Sequence, residues 1–254
     1  TQGSPLLYDL TTLQREANSR FGFSARNTLG LAQALYEKHK VLTYPRTDAR
    51  ALPEDYIGTV NATLEELRES NAFGGFAREI LKQKWVRPNK RIFDNSKISD
   101  HFAIIPTGRL PESSLSGDDE RLFDLVSRRF LANFYEPAVW NRVERVTEVA
   151  GQNFRSRSRT LDEPGWRSVL GQVEQDEQVL PPLVPGATEA EGVGVAALGV
   201  ELETDKTKPP ARITEARLLS LMESAGSDSE DEEIAAAISE KGIGTPATRA
   251  DVIE

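Results

Sequence analysis

The hydrophobic period of this chain changes at Pro137. Up to that residue, apolar side chains recur every three or four positions, as they do on the buried face of a helix. Over residues 139–149 and again over 153–161, apolar and polar side chains alternate with the period of two that is typical of strands. Helices followed by neighbouring strands predict an α+β chain whose sheet is antiparallel.

The residues before 118 predict a mostly helical unit with four helices, and residues 118–135 predict one further long helix. These run from a cap at Thr11 or Thr12 to Arg20, from Ser24 through Tyr36, from Pro53 through Leu67, over residues 73–85 and over residues 118–135. Helical spacing assigns Tyr36 to the core of this unit. Two short strands are predicted between the helices, at residues 40–44 and 103–105.

Beyond the alternating segments, turn and linker signals interrupt the pattern. Gly165-Trp166 predicts a turn before another short strand. Residues 180–191 are rich in Pro, Gly and Glu and predict a linker, and residues 193–202 predict a further strand.

Pro209-Pro210 marks a boundary in the last part of the chain. Helices are predicted after it, from Thr214, over residues 234–239 and from Thr245-Pro246. We therefore expect three domains: a helical domain at residues 1–117, a β-rich domain at 118–205, and the beginning of a second helical domain at 206–254.

The net charge of −9 is unevenly distributed along the chain. Residues 1–110 contain 16 Lys and Arg against 12 Asp and Glu, whereas the remainder contains 15 against 28. Part of the basic excess surrounds Trp85 and consists of Lys82, Lys84, Arg87, Lys90 and Arg91. Binding to DNA depends on local positive surface, so this distribution is compatible with DNA binding and equally with a solvated helix face.

Composition also disfavours several other classes of protein. The chain has no cysteine, which excludes disulfides and cysteine-ligated zinc, and its two histidines disfavour a structural metal site. No apolar run approaches the length of a membrane span, and no basic-then-apolar signal pattern occurs at the N-terminus. These features predict a soluble, cytoplasmic protein.

The heptapeptide Leu42-Thr43-Tyr44-Pro45-Arg46-Thr47-Asp48 carries the clearest chemical signal. Residues i and i+2 of an extended segment point to the same side, so the phenol of Tyr44 and the guanidinium of Arg46 can meet one phosphodiester. The guanidinium offers a planar fork of donors to phosphate oxygens and favours a phenolate beside it. Taken alone, however, such a tyrosine is more often a half-buried aromatic at the end of a strand.

Three further segments follow the heptapeptide, at residues 100–107 (DHFAIIPT), 209–216 (PPARITEA) and 242–250 (GIGTPATRA). Together with it and with a lead-in at residues 9–17 (DLTTLQREA), they resemble the type IA DNA topoisomerases, in particular the bacterial topoisomerase III group. The resemblance extends from about residue 5 to the last residue. It departs from the common pattern at Phe102, where many members carry a second histidine, and at Ala49, where serine is common.

The resemblance implies an enzyme that cleaves and rejoins one DNA strand, so that another strand can pass through the gap. Tyr44 would attack a phosphodiester of single-stranded DNA and form a 5′-phosphotyrosine link, which stores the bond energy without a nucleotide cofactor. Arg46 would bind the scissile phosphate and stabilise the transition state. His101 would contact phosphate or relay a proton; the alternative is a histidine that hydrogen-bonds the loop before a buried strand.

A second group of residues is predicted to bind the DNA backbone. Thr245, Thr248 and Arg249 lie at a predicted helix start, where N–H groups, hydroxyls and a guanidinium can hold a phosphate. The same pattern is typical of an ordinary loop-to-helix junction, and both interpretations stay open. Lys208 and Arg212 are weaker candidates of the same kind.

The resemblance also implies an acidic, magnesium-binding domain of the Toprim type ahead of the tyrosine-bearing domain. No Asp-x-Asp element occurs here in a suitable strand–loop context. We therefore expect an internal fragment of a larger enzyme, with the ligands for its Mg²⁺ absent from this chain. Residues 118–205 would be the second pass of a β hinge domain, whose unpaired sheet edges would favour a homodimer. Such an enzyme would associate with the bacterial nucleoid.

Two other functions deserve comparison with this one. Because the metal-binding half of the site is missing, the isolated chain would alternatively be a non-catalytic scaffold that binds single-stranded DNA. A tyrosine recombinase is disfavoured, because that class places several arginines and histidines upstream of a late tyrosine. The acidic run at residues 227–233 is interpreted as a surface insert.

Overall fold

The structure, a computed structural model, describes residues 1–111, 115, 117–172, 179–180, 199, 201–225 and 242–253. These residues form seven α-helices and a two-stranded antiparallel sheet, which confirms the predicted α+β class. The helices are α1 (Leu10–Phe21), α2 (Ala25–Glu37), α3 (Ile57–Leu67), α4 (Gly74–Gln83), α5 (Gly117–Ala132), α6 (Glu215–Glu223) and α7 (Arg249–Ile253). The strands are β1 (Val139–Val149) and β2 (Gln152–Glu163), and 3-10 helices lie at Glu54–Tyr56, Asn95–Lys97 and Gly165–Arg167. No helix within the described ranges is long and apolar enough to cross a membrane.

Cap residues determine where α1 and α2 begin and end. The predicted cap of α1 at Thr11 or Thr12 is wrong, because the Asp9 carboxylate accepts the hydrogen bond from the Thr12 amide at 2.6 Å and α1 begins earlier. Gly22 ends α1 as predicted, with a φ of +72° that favours glycine. Ser24 caps α2 as predicted and accepts from the Asn27 amide at 3.1 Å.

One buried cluster holds the helices of the first part together. Its members are buried apolar side chains from α1 to α5, and the cluster extends to the segment after β2. They include Leu13, Leu35, Leu64, Ile80, Phe130 and Val169. Because α5 packs with the helices that precede it, this core crosses the predicted boundary between residues 117 and 118. The three-domain division itself stays a prediction.

The two short predicted strands, at residues 40–44 and 103–105, lie side by side but form only isolated bridges, so the prediction of regular strands is wrong. The reason is the Thr43 side chain. Its hydroxyl donates to the Ala103 carbonyl at 3.1 Å and accepts from the Ile105 amide at 2.9 Å, so it occupies groups that a longer ladder would pair. Pro45 and Pro106 also lack the N–H groups that would extend the ladder.

The alternating segments after Pro137 form the predicted strands and pair as a hairpin. Val149 pairs with Gln152 across a two-residue turn, in which Ala150 and Gly151 both have positive φ, at 52° and 72°. The prediction of another strand after Gly165-Trp166 is wrong within the described residues. A 3-10 helix occupies Gly165–Arg167 instead, and the Trp166 indole donates to the Gln2 carbonyl at 2.8 Å.

Helices α6 and α7 dock on α1 and α2 through polar contacts and through a small apolar cluster of Ala25, Leu219 and Ala250. The Glu215 carboxylate accepts from the Ala25 amide at the first residue of α2 at 2.7 Å, where the helix dipole favours a negative charge. The buried Arg249 guanidinium donates to the Thr11 hydroxyl at 2.9 Å and forms a longer ion pair with Glu223 at 3.5 Å. Thr214 caps α6 as predicted.

Of the other predictions for the C-terminal part, one is wrong and the rest concern residues that lie wholly or largely outside the described ranges. The predicted helix start at Thr245-Pro246 is a turn, and α7 begins at Arg249. The predicted linker at 180–191, strand at 193–202, acidic insert at 227–233 and helix at 234–239 lie wholly or largely outside the described residues.

The backbone at Gly165 leaves no room for a side chain. Its φ is +48°, and a Cβ would lie 2.4 Å from the Glu136 carbonyl oxygen. We expect Gly165→Ala to lower the free energy of unfolding in urea by more than the matched Gly22→Ala, which has a similar φ but open space around it. Gly22→Ala should cost about 1–2 kcal/mol for the left-handed conformation alone. Equal losses for the two variants would contradict the close packing at Gly165.

The polar docking of α6 and α7 predicts a local effect of Arg249. Replacing it in Arg249→Met removes its bonds to Thr11 and Glu223, so amide hydrogen exchange should accelerate in α6 and α7 while α3 and α4 keep their protection. Arg217→Met, at an exposed arginine of α6, is the matched control. Equal exchange in both variants would mean that Arg249 does not hold these helices in place.

Candidate active site around Tyr44

The loop that carries Tyr44 is fixed by the side chain and backbone of Thr47. This buried hydroxyl donates to the His101 carbonyl at 2.9 Å and accepts from the Ala49 amide at 3.0 Å. The Thr47 carbonyl accepts from the amide of Leu10, the first residue of α1, at 3.0 Å. Two segments distant in sequence are thereby attached to the heptapeptide, and one of them carries His101.

The Tyr44 ring is half-buried between two other rings. Tyr36 of α2 meets it edge-on, with ring centroids 5.5 Å apart and planes at 82°. The His101 ring also contacts the Tyr44 ring, with ring centroids 4.2 Å apart and planes at 43°. Two rings thus contact the Tyr44 ring, which stays partly accessible to solvent.

Arg46 is exposed and has one partner of its own. With the Gln33 amide oriented to present its oxygen, that oxygen accepts from Arg46 Nη2 at 3.0 Å and Nε at 3.2 Å. Gln33 and Tyr36 are three residues apart on α2 and therefore share one face of the helix. One face of α2 thus contacts both Arg46 and Tyr44, although the chain bends at Pro45 between them.

Neither Gln33 nor Tyr36 was identified as a site residue from the sequence. Tyr36 was assigned to the core, but it is only half-buried because Tyr44 and not the core covers it. A sequence pattern that could have identified them is their spacing: Gln33 and Tyr36 lie at i and i+3 on the helix directly before the heptapeptide. Lys40 adds a cation 5.7 Å from the Tyr36 ring centroid.

The structure places His101 next to Tyr44 with an exposed side chain, and its carbonyl binds Thr47. Phe102, one of the two departures from the pattern that the sequence resembles, contacts Tyr56 with 4.8 Å between ring centroids. It packs against the apolar core and offers no titratable group. Of His101 and Phe102, only His101 could therefore take part in a proton relay.

The predicted backbone-binding residues lie in three different environments. Thr245 and Thr248 are exposed, and the Thr248 hydroxyl accepts from the Thr245 amide at 2.9 Å. Arg249 is directed into the protein, as described above. Lys208 and Arg212 lie in an exposed, extended segment and form no hydrogen bond or ion pair with any residue that the structure describes. The structure therefore does not gather this group around Tyr44.

Within the described ranges, no group of three or more His, Cys, Asp or Glu side chains could hold a metal ion. The described residues thus do not fit the magnesium ion that the family resemblance implies, and no chemical step below depends on one.

Comparisons with known proteins identify the family of this chain. The chain is 39% identical to the DNA topoisomerase 3 of Bacillus subtilis over 262 residues and 41% identical to that of Bacillus cereus over 263 residues. Each comparison covers 99% of this chain but only 35% of the relative, so the chain spans about a third of the length of these curated relatives.

Among solved structures, full-length topoisomerase I from Thermotoga maritima has the same fold, with a TM-score of 0.57 at 22% identity. The match covers 99% of this chain and 37% of that one. A family model described as DNA topoisomerase matches residues 1–254. The resemblance that the four motifs predict is therefore confirmed, and the chain belongs to the type IA DNA topoisomerase family.

Proposed function

We propose that this chain supplies the nucleophile of an enzyme that cleaves and rejoins one strand of DNA. The observation that carries the proposal is the arrangement at α2: the Tyr44 ring is oriented by Tyr36 and His101, and the exposed guanidinium of Arg46 lies on the same helix face. A phenol and a guanidinium held on one surface are suited to attack on a phosphodiester.

In the proposed reaction, the Tyr44 oxygen attacks phosphorus in line with the 3′-oxygen of the preceding nucleotide. A new O–P bond joins the tyrosine to the 5′-phosphate, the P–O3′ bond breaks, and the phenol proton is lost while the 3′-oxygen gains one. The number of ester bonds is unchanged, so the reverse attack by the 3′-hydroxyl rejoins the strand. This balance explains why no nucleotide is consumed.

The phenol needs assistance, because tyrosine has a reference pKa of about 10. The positive charge of Arg46 would stabilise both the phenolate and the charge that develops on the phosphate oxygens. Gln33 would keep the guanidinium oriented before DNA binds. His101, next to the Tyr44 ring, is the candidate to transfer the proton toward the leaving 3′-oxygen.

The finer features of the whole enzyme belong to the same proposal. We propose single-stranded DNA as the substrate, Thr245 and Thr248 as further backbone contacts, and Mg²⁺ held by residues outside this chain. Residues 139–163 would form part of a hinge domain, and the exposed Val143, Val146 and Phe154 of the hairpin favour association into a homodimer. A DNA substrate would place the enzyme in the bacterial cytoplasm, at the nucleoid.

The central test is covalent capture of DNA. The chain would be mixed with single-stranded oligonucleotides labelled at the 5′ or the 3′ end, with and without magnesium, and the reaction stopped in detergent. We expect only the 3′-labelled DNA to remain on the protein, because a 5′-phosphotyrosine retains the segment 3′ of the break. Tyr44→Phe should abolish the adduct, whereas Tyr36→Phe keeps the ring contact and should retain it.

The outcomes of this experiment separate two functions. An adduct that persists in Tyr44→Phe would overturn the assignment of the nucleophile. DNA binding without any adduct from the unmodified chain would instead support the non-catalytic scaffold. Adding the rest of the enzyme in trans would then show whether the chemistry requires a second domain.

Substitution of Arg46 tests its role in the transition state. We expect Arg46→Gln to slow adduct formation about 10²–10³-fold, the usual loss for one donor to a developing oxyanion. Arg46→Lys keeps the charge but loses the planar fork and should recover only part of the rate. Rates of adduct formation under single-turnover conditions measure this. Equal rates in Arg46→Gln and the unmodified chain would exclude Arg46 from the reaction.

A further inference from the structure

Helix α2 contacts two parts of the molecule that lie far apart in sequence. Its first two residues contact α6 and α7. Gln33, about 12 Å further along the helix axis, bonds Arg46. Tyr36, at about 16 Å, contacts the Tyr44 ring. One helix therefore connects the C-terminal helices to the candidate site.

The first turn of α2 has amide groups that the helix itself cannot satisfy. The Ser24 hydroxyl accepts from the Asn27 amide at 3.1 Å, and the helical ladder begins with the Thr28 amide. The buried Ala25 amide needs an acceptor from outside the helix, and the Glu215 carboxylate of α6 accepts from it at 2.7 Å. A carboxylate 190 residues away in sequence thus completes the cap of α2.

An anion at this position stabilises α2 in two ways. Its negative charge interacts favourably with the positive end of the helix dipole, and it satisfies a buried N–H group. Neighbouring contacts hold Glu215 in place. The Asn18 side-chain oxygen accepts from the Ala216 amide at 3.1 Å, and Leu219 of α6 packs on Ala25. The half-buried Glu215 carboxylate is thus part of a fixed contact between α6 and α2.

We propose that Glu215 is a positioning residue for the Tyr44 site and that it acts through α2. By capping α2 it holds the helix in one position, so that the face with Gln33 and Tyr36 stays against the heptapeptide. Docking of α6 thereby favours the reactive arrangement of Tyr44 and Arg46, and release of α6 loosens it. An effect on the reaction rests on the proposed function, whereas coupling through α2 does not require Tyr44 to react.

Glu223, at the other end of α6, provides a comparison within the same helix. Its carboxylate pairs with Arg15 of α1 at 3.3 Å and with Arg249 at 3.5 Å. It therefore contributes to the docking of α6 on α1 rather than to the cap of α2. Substitutions of Glu215 and Glu223 can thus separate the capping of α2 from the docking of α6 as such.

Single-turnover adduct formation tests the positioning role. We expect Glu215→Ala to slow adduct formation about fivefold, the usual effect of losing one helix cap, while the affinity for oligo-dT in a Tyr44→Phe background stays unchanged. Glu215→Gln should recover part of the rate, because its amide oxygen can still accept from the Ala25 amide. The matched control Glu223→Ala should keep the rate of the unmodified chain. Equal losses in Glu215→Ala and Glu223→Ala, or a loss of affinity instead of rate, would overturn the proposal.

A double-variant cycle tests whether the effect passes through α2. Tyr36→Leu removes the ring contact with Tyr44, so a cap that acts through this contact should matter less in that background. We expect Glu215→Ala combined with Tyr36→Leu to slow adduct formation by less than the product of the two single losses. Losses that multiply would show that Glu215 and Tyr36 act independently and would reject the route through α2.

A second measurement follows the coupling without any covalent step. With 3-fluorotyrosine in place of the five tyrosines of the chain, the fluorine resonance of Tyr44 is assigned from its absence in Tyr44→Phe. Glu215→Ala should shift or broaden this resonance, whereas Glu223→Ala should not. An unchanged Tyr44 resonance in Glu215→Ala would contradict the coupling.

The two measurements separate the coupling from the proposed chemistry. A changed Tyr44 resonance in Glu215→Ala, without any adduct from the unmodified chain, would support the coupling and reject the chemistry. A normal rate and an unchanged resonance in Glu215→Ala would reject the coupling and leave the proposed function intact.

Discussion

The attachment of the heptapeptide to residues 101–105 is the constraint on which the candidate site depends. Thr43 and Thr47 supply it through their hydroxyls, which bind backbone groups of Ala103, Ile105 and His101. A regular ladder would have fixed these segments through backbone groups alone. Here side-chain bonds end the pairing after a single bridge, and the chain is free to bend at Pro45 and present Tyr44 and Arg46 toward α2.

Much of the fold could be predicted from local physical rules, and the failures have identifiable causes. Period-two alternation located β1 and β2, and Ser24, Gly22 and Thr214 marked helix ends because their capping role depends on nearby backbone only. Asp9 was missed because it precedes two threonines that are equally good caps by type. The strand predicted after Trp166 failed because a tertiary bond from its indole to Gln2 holds the segment in a tight turn.

The candidate site shows the same limit. The order of four motifs was sufficient to predict the family. The i, i+2 rule for Tyr44 and Arg46 assumes an extended segment, whereas the chain bends at Pro45 and both residues contact α2. Gln33 and Tyr36 were not predicted, because their roles arise only when α2 packs beside the loop. Arg249 shows the reverse case: by residue type it suits phosphate, but its position relative to α1 directs it inward to Thr11 and Glu223.

The distribution of arginine partners explains how an acidic chain can present local positive surface. Arg249, Arg129 and Arg15 contact Glu223 or Glu16 and contribute to packing with little positive field left over. Arg50, Arg87 and Arg91 donate to carbonyls or hydroxyls and keep their full charge. Burial raises the pKa of the Asp9 carboxyl, and the hydrogen bonds with Thr12 and the charges of Arg50 and Arg249 act in the opposite direction. Net charge therefore describes solubility, whereas the bonding partner of each guanidinium determines where an anionic strand can bind.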